Sequence, residues 1–274
     1  MSSLRARVRP GISRRSDIAL ETSKVALLIV DIQKYLSKPG ILEKEDSYLF
    51  RDALPRAIGN ITQLIETFRM VRDDDDAEGC EVIFTYLQSL TKDGRDISLD
   101  YKLSGSKLAG IPRVGASHTE LFLDDCCPDL ETGKGDILLP KTSCSVFQST
   151  NIDYVLRNLG IEQIVIVGQL TDQCVESAVR DAADLGYLVT VASDACAAQT
   201  EENHRNGLKG MKGFCRILSS QQVMDELVED VASKLSDEDP SCAAVSEAAV
   251  LNFLRSKGLK RQADEVARLL LSER

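Results

Sequence analysis

Histidine is scarce in this chain, and its scarcity limits the metal chemistry open to the protein. The 274 residues include two histidines, His118 and His204, far apart in the sequence, and no tryptophan. The eight cysteines form no Cys-x-x-Cys pair, and the adjacent pair Cys126–Cys127 has poor spacing for zinc ligands. We therefore expect no metal site and no cofactor.

Further absences exclude broad classes of protein. No apolar run approaches the ~20 residues that a membrane-spanning helix requires, and no secretory signal is expected. The formal net charge of −10 argues against nucleic-acid and anionic-membrane partners. No Gly-x-Ser-x-Gly sequence occurs, which excludes the serine-nucleophile elbow of α/β-hydrolases. Because the cysteines show no disulfide-scaffold pattern, we expect them to be reduced and the protein to be cytoplasmic.

Length and composition predict one full-sized domain, residues 20–235, with an extension at each end. Residues 1–19 form a basic arm, which is also compatible with a mitochondrial transit peptide because it is rich in arginine and poor in acid. Residues 236–274 comprise a linker and two short helices that weakly resemble a LisH-type dimerisation hairpin. The alternative is a helical tail packed on its own domain. We expect a homo-oligomer that acts on a small molecule.

Short apolar runs alternate with helical periodicity through the middle of the chain. This alternation predicts an α/β fold, a three-layer, doubly wound, mostly parallel sheet with helices on both faces. The predicted strands cover 25–30, 81–86, 136–140, 163–168 and 188–192, and the predicted helices cover 57–71, 152–159, 174–186, 208–218 and 221–235.

Three reactive side chains follow predicted strands, where sites of parallel sheets lie. They are Asp31, Lys141 and Cys174; Asp194 follows a further strand. Cys174 stands at a predicted helix start, where backbone N–H groups and the helix dipole favour a thiolate, the nucleophilic form. A carboxylate can take the thiol proton, and a lysine between the two offsets their negative charge.

These positions resemble the isochorismatase-like cysteine hydrolase superfamily. The matching segments are VALLIVDIQ at 25–33, LLPKTSCSVF at 138–147 and VGQLTDQCVESAVRDAADLGY at 167–187. The resemblance implies Asp31 as general base, Cys174 as nucleophile and Lys141 as their electrostatic partner. It also implies a cis peptide between Gln169 and Leu170, and an oxyanion hole made by the backbone N–H groups of Leu170 and Cys174.

Departures from relatives within that superfamily narrow the expected chemistry. Nicotinamidases of the family bind a metal through histidines after the second strand, and TYLQSLTKDGRD at 85–96 contains none. Cys174 favours acyl chemistry on a C–N bond, and 88–103 resembles relatives that act on ureido or carbamoyl compounds. Two alternatives stay open. One is vinyl-ether hydrolysis of isochorismate, and the other is a catalytically silent interaction protein.

Further strand-end and loop residues are candidates for lining the substrate pocket. Thr171 and Asp172 are expected to cap the helix of Cys174, and Cys144 is the other cysteine worth testing. The candidates for substrate binding are Gln33, Tyr35, Tyr86, Gln88, Arg95, Phe147 and Gln169.

The missing histidine cluster predicts metal-independent activity. Hydrolysis by the purified protein should survive dialysis against EDTA, because the expected reaction uses only side chains and backbone groups. Turnover before and after dialysis measures this. Activity that is lost on chelation and returns with zinc or iron would contradict the prediction.

Overall fold

A computed structural model describes residues 8, 14–40, 42–72, 80–104, 110–121 and 135–236. Most of the 1–19 arm, the Cys126–Cys127 pair, the side chain of His118 and the helical hairpin predicted beyond residue 236 lie outside the described residues. The two extensions therefore stay predictions.

Six strands form one parallel sheet in the described part of the chain. The spatial order is β3-β2-β1-β4-β5-β6, and each neighbouring pair is parallel. This architecture confirms the predicted fold class. The strands are β1 (Val25–Val30), β2 (Glu81–Leu87), β3 (Ile137–Lys141), β4 (Gln163–Gln169), β5 (Leu188–Ala197) and β6 (Cys215–Leu218).

Helices connect the strands and cover both faces of the sheet. A π-helical turn, Leu49–Ala53, precedes the first helix, and a second one, Thr171–Val175, follows β4. None of the helices in the described ranges is long and apolar enough to cross a membrane. The helices are α1 (Leu54–Val71), α2 (Leu99–Leu103), α3 (His118–Leu121), α4 (Val146–Ser149), α5 (Ile152–Asn158), α6 (Glu176–Asp184), α7 (Glu201–Met211) and α8 (Ser220–Ser236).

The side chains of β1 alternate between two hydrophobic cores. Leu27 and Ile29 pack in the core that includes buried residues of α1 and α8, whereas Leu28 and Val30 pack in the core that includes those of α5 and α6. Every residue of β1 is buried because both faces of a central parallel strand are covered. This double burial explains the unbroken apolar run in the sequence.

The structure corrects the helix predicted over 208–218. Helix α7 ends at Met211, a turn follows, and Cys215–Leu218 forms the edge strand β6. A segment of four residues, one of them an arginine, fits either a strand or a helix, so periodicity could not separate the two. Arg216 of β6 is held by Glu226, with nitrogen–oxygen distances of 3.0 and 2.9 Å. Tertiary contacts of this kind fix the strand.

Strand β5 also differs from its prediction. It continues to Ala197, so Asp194 lies within the strand and not after it. The carboxylate of Asp194 accepts hydrogen bonds from the backbone N–H and the hydroxyl of Ser220 at the start of α8. Asp194 therefore stabilises a helix terminus and takes no place beside the other strand-end groups.

The sheet order reverses between β1 and β4, and Gly168 occupies the contact between these strands. Its φ angle is +116°, and a Cβ atom there would lie 2.1 Å from the carbonyl oxygen of Val30. No side chain fits in this space, since the obstructing atom belongs to the backbone of the neighbouring strand. Gly168 thus permits the close approach of the two strands that carry Asp31 and Cys174 at their ends.

Replacing Gly168 should destabilise the fold strongly. We expect Gly168→Ala to lower the free energy of unfolding by about 3 kcal/mol or more, from backbone strain and overpacking together. Gly59 is an exposed position within α1 where a Cβ meets nothing within 4 Å. Gly59→Ala is the matched control and should raise stability by about 0.5–1 kcal/mol. Urea denaturation compares the variants, and equal stability of Gly168→Ala and the parent would contradict this packing argument.

Candidate active site

Asp31, Lys141 and Cys174 meet in a buried cluster at the carboxyl ends of the strands. Lys141 Nζ lies 2.9 Å from Asp31 Oδ2 and 3.5 Å from Cys174 Sγ. It also donates hydrogen bonds to the carbonyl oxygens of Ser143 at 2.9 Å and Cys144 at 3.0 Å. Interaction with Asp31 and Cys174 raises the pKa of Lys141 against the opposing effect of burial, so Lys141 is an ammonium. The lysine links the acid and the thiol.

Asp31 is held in a left-handed backbone conformation, with φ at 56°. Its N–H donates to the Thr85 carbonyl at 2.9 Å, and its own carbonyl accepts from the N–H of Gln33 at 3.0 Å and from Gln169 Nε2 at 2.9 Å. The carboxyl group is fully buried, which raises its pKa well above the usual range although Lys141 opposes the rise. Its Oδ1 has no partner of good hydrogen-bond geometry in the described residues, and interaction with Cys174 raises the pKa of the carboxyl group further. A buried carboxylate with an open oxygen and a raised pKa is well suited to accept a proton.

Cys174 lies in the π-helical turn Thr171–Val175, two residues before α6 begins at Glu176. Its Sγ is 3.4 Å from Tyr101 Oη and 3.8 Å from Cys144 Sγ. The sequence predicted a thiol with a lowered pKa, but the pKa of Cys174 is raised in the structure. The hydrogen bond with Cys144 and burial raise this pKa, and their effect outweighs that of Lys141 and Tyr101, which lower it. Burial and Cys144 therefore favour the thiol form of Cys174, and formation of its thiolate requires a proton acceptor.

Thr171 and Asp172 connect the turn of Cys174 to helix α7, and they do not cap the helix of Cys174 as predicted. No side chain caps the start of the π-helical turn. Thr171 Oγ1 lies 2.8 Å from His204 Nδ1, and Asp172 Oδ2 accepts from Asn203 Nδ2 at 2.9 Å. A Cβ at Gly207 would stand 2.9 Å from Cα of Asp172. Helix α7 therefore packs directly against the turn and fixes its position.

Gln33 and Gln169, expected at the substrate, are engaged by the backbone. Gln33 Oε1 accepts from the N–H of Leu87 at 2.6 Å, and its Nε2 donates to the carbonyl of Leu87 at 3.1 Å. Gln169 Nε2 donates to the carbonyl of Asp31 and to Ser37 Oγ at 3.0 Å. Both glutamines are fully buried. The structure therefore places them as supports of the strand ends.

The remaining predicted residues divide among the neighbourhood of the cluster, the hydrophobic cores and the surface. Tyr35 is buried, and burial together with the charge of Asp31 raises its pKa to about 12. Gln88 donates to the backbone carbonyl of Arg113 at 3.2 Å. Arg95 lies outside the cluster, since its side chain is 77% exposed and pairs with Asp93. Two aromatic candidates pack in the cores: Tyr86 is buried in the first, and Phe147 faces the ring of Tyr187 in the second.

Tyr101 is a neighbour of the thiol that the sequence did not single out. It lies in α2 and is buried, and its hydroxyl contacts Cys174. The segment 88–103 resembles ureido-acting relatives, but nothing in its residue pattern distinguishes this tyrosine. The contact joins positions 73 residues apart in the chain, and no local pattern reports such a contact.

The peptide bond between Gln169 and Leu170 is cis, as the resemblance implied. Within the described ranges, no group of three or more histidine, cysteine, aspartate or glutamate side chains is arranged to hold a metal ion.

Comparison with known proteins identifies the family. The Isochorismatase domain profile matches residues 25–222. The chain belongs to the isochorismatase family of hydrolases. The match spans the six-stranded sheet as far as β6, together with all three residues of the buried cluster. The resemblance found in the sequence is thereby confirmed.

Curated relatives and solved structures agree with this family. The chain is 49% identical over 196 residues to ureidoacrylate amidohydrolase RutB of Agrobacterium fabrum, covering 67% of this chain and 80% of the relative. N-carbamoylsarcosine amidase from Thermoplasma acidophilum has a TM-score of 0.52 and 26% identity, covering 72% of this chain and 96% of that one. A cysteine hydrolase from Pseudomonas syringae shares the fold at 21% identity, with a TM-score of 0.61 and coverage of 76% and 94%.

The contact between Lys141 and Cys174 predicts how the thiol reacts with an alkylating agent. The ammonium lowers the pKa of Cys174, so Lys141→Met should raise that pKa and move the alkylation profile to higher pH. At a fixed, mildly alkaline pH, iodoacetamide should modify Cys174 about tenfold more slowly or worse. Peptide mass mapping separates Cys174 from the other cysteines.

Lys209→Met is the matched control for this experiment because Lys209 is an exposed lysine of α7. Circular dichroism spectra of the two variants and the parent should coincide if both variants fold. If Lys141→Met and the parent share one alkylation profile, the ammonium does not act on the thiol.

Proposed function

We propose that this hydrolase cleaves a C–N bond of a small amide or ureido compound through a thioester on Cys174. The observation that carries the proposal is the continuous contact from Asp31 through Lys141 to Cys174, with distances of 2.9 and 3.5 Å and with all three side chains buried. A nucleophile, a base and a fixed positive charge in one buried cluster are the parts that nucleophilic catalysis requires.

Acylation begins with the transfer of the thiol proton from Cys174 to Asp31. The raised pKa of Asp31 brings its basicity closer to that of the thiol, which makes this transfer easier than it would be to an ordinary carboxylate. The thiolate attacks the carbonyl carbon, and the carbonyl oxygen becomes an oxyanion. The backbone N–H groups of Leu170 and Cys174 stabilise that oxyanion. Asp31 then gives its proton to the departing amine as the C–N bond breaks.

Deacylation uses Asp31 again, first as a base and then as an acid. Asp31 takes a proton from a water molecule, and the resulting hydroxide attacks the thioester carbonyl. The C–S bond breaks, Cys174 leaves as a thiolate, and the proton returns to it from Asp31. Atoms and charges balance over the cycle, which consumes one water and requires no electron donor.

Lys141 keeps the net charge of the cluster low at each step. It faces a carboxylate at rest and a thiolate during attack, and it remains within 3.5 Å of both atoms. The carbonyls of Ser143 and Cys144 fix its ammonium in place, so the charge needs no rearrangement while the proton moves. Lys141 therefore acts as an electrostatic partner of both groups.

The names of the relatives support the substrate class. Ureidoacrylate amidohydrolase RutB and N-carbamoylsarcosine amidase are named for compounds that contain a ureido or carbamoyl group. A second RutB, from Rhizobium rhizogenes, is 32% identical over 196 residues, covering 67% of this chain and 74% of the relative. We propose a ureido or carbamoyl substrate on this basis.

Removal of the thiol should abolish amide hydrolysis. Cys174→Ala should lower the turnover of ureido compounds and carboxamides by roughly three orders of magnitude or more, because no thioester can form. Release of ammonia from a panel of such compounds measures the rate. Cys80→Ala is the control, because it removes another buried thiol that lies outside the cluster. The folded fraction of this variant should turn over substrate at the parental rate.

Isochorismate belongs in the same panel as a competing substrate. If Cys174→Ala retains the parental rate on the amide panel, the thioester mechanism is wrong. Hydrolysis of isochorismate by both the parent and Cys174→Ala, without amide turnover, would favour vinyl-ether chemistry.

A further inference from the structure

A second thiol lies beside the nucleophile, and the proposed hydrolysis does not use it. Cys144 Sγ is 3.8 Å from Cys174 Sγ and 3.4 Å from Ser177 Oγ. We propose that Cys144 and Cys174 form a site of reversible oxidation by hydroperoxides, in which a disulfide between the two sulfurs holds the enzyme in an inactive form. The two sulfurs belong to segments 30 residues apart and are brought together by tertiary contact.

The positions of the two cysteines allow the bond to form with little movement. A disulfide requires the sulfurs to approach to about 2.05 Å, so they must close by less than 2 Å from their present distance, on the order of a side-chain adjustment. Cys144 lies in the bend that joins β3 to α4, outside regular secondary structure, whereas Cys174 is fixed in its turn. Cys144 can therefore supply most of the movement.

Exposure and acidity favour Cys144 as the sulfur that reacts first. Cys144 is half-buried, and the pKa of its thiol is lowered to about 6 by the hydrogen bond with Cys174, with help from Ser177 and Lys141. The thiolate is the form that hydroperoxides oxidise. Burial raises the thiol pKa at three other cysteines, Cys80, Cys196 and Cys215. Among the described cysteines, oxidation is thus directed to the pair.

The chemistry needs one hydroperoxide and the two thiols. The Cys144 thiolate attacks one peroxide oxygen, and the O–O bond breaks. Hydroxide leaves and becomes water by taking up the proton that Cys144 released when it ionised. Cys144 is now a sulfenic acid. The sulfur of Cys174 attacks the sulfur of Cys144, the S–O bond breaks, and a second water forms from the departing hydroxide and the thiol proton of Cys174. Two thiols are oxidised, and one peroxide is reduced to two molecules of water, or to an alcohol and water.

The consequence for activity rests on the proposed function, because a disulfide removes the thiolate only if Cys174 is the nucleophile. A dithiol reductant reverses the bond by thiol–disulfide exchange and releases both sulfurs. Cys144 also protects Cys174, since a disulfide blocks further oxidation to the sulfinic acid, which thiols do not reduce.

The decisive experiment is peptide mapping of the full-length parent protein after treatment with hydrogen peroxide. We expect a cross-linked pair of peptides that contain Cys144 and Cys174, with a mass two hydrogens below the sum of the two reduced peptides. Dithiothreitol should abolish the cross-linked species and restore the two separate peptides. This readout does not depend on activity. If Cys174 is oxidised while Cys144 stays a free thiol, or if no cross-link forms, the proposal is wrong.

Activity and variants separate this proposal from the proposed function. The parent should lose most of its turnover in peroxide and regain it with dithiothreitol. Cys144→Ser should lose turnover in peroxide far more slowly than the parent, because the loss of Cys144 removes the reactive thiolate and burial favours the protonated thiol at Cys174, whereas Cys215→Ser should behave like the parent. Inactivation of Cys144→Ser at the parental rate, with the same recovery in dithiothreitol, would overturn the proposal. A cross-link in a protein that hydrolyses no amide would leave the oxidation site established and refute the proposed function alone.

Discussion

The ion pair between Asp31 and Lys141 is the interaction on which the rest of the site depends, because both charged groups are fully buried. Withdrawing two ions from water costs several kcal/mol each, which close pairing and further hydrogen bonds must offset. The pair distance of 2.9 Å and the carbonyls that accept from Lys141 provide this compensation. The left-handed backbone of Asp31 is held by hydrogen bonds to Thr85, Gln33 and Gln169, and these contacts keep the carboxyl group in position for the pair.

Most of the sheet could be predicted from the sequence because central parallel strands need unbroken apolar runs. Strand β1 was predicted with the bounds that the structure has, and β4 extends one residue further. The edge strand β6 escaped prediction, since four residues carry too little periodicity to distinguish a strand from a helix. The full length of β5 escaped as well, because Asp194 interrupts its apolar pattern while supporting the start of α8.

The candidate site was predictable in its residues and less so in its electrostatics. Strand ends and motif order brought Asp31, Lys141 and Cys174 into one expected site, and the structure places them in contact. The raised pKa of Cys174 was unforeseen because it arises from burial and from Cys144, which local sequence cannot show. For the same reason, nothing in the sequence showed that the amide of Gln33 is engaged by the backbone of β2.

The packing of α7 against the turn of Cys174 makes the position of this side chain depend on the local stability of one helix. His204 and Asn203 hold the turn through polar contacts, and Gly207 lets the helix approach it closely. A domain can open in parts, and a helix can detach at a lower free energy than global unfolding requires. Detachment of α7 would leave Cys174 without its support while the sheet stays intact. The proposed reaction is therefore open only to the fraction of molecules in which α7 is docked, although this helix carries no reacting atom.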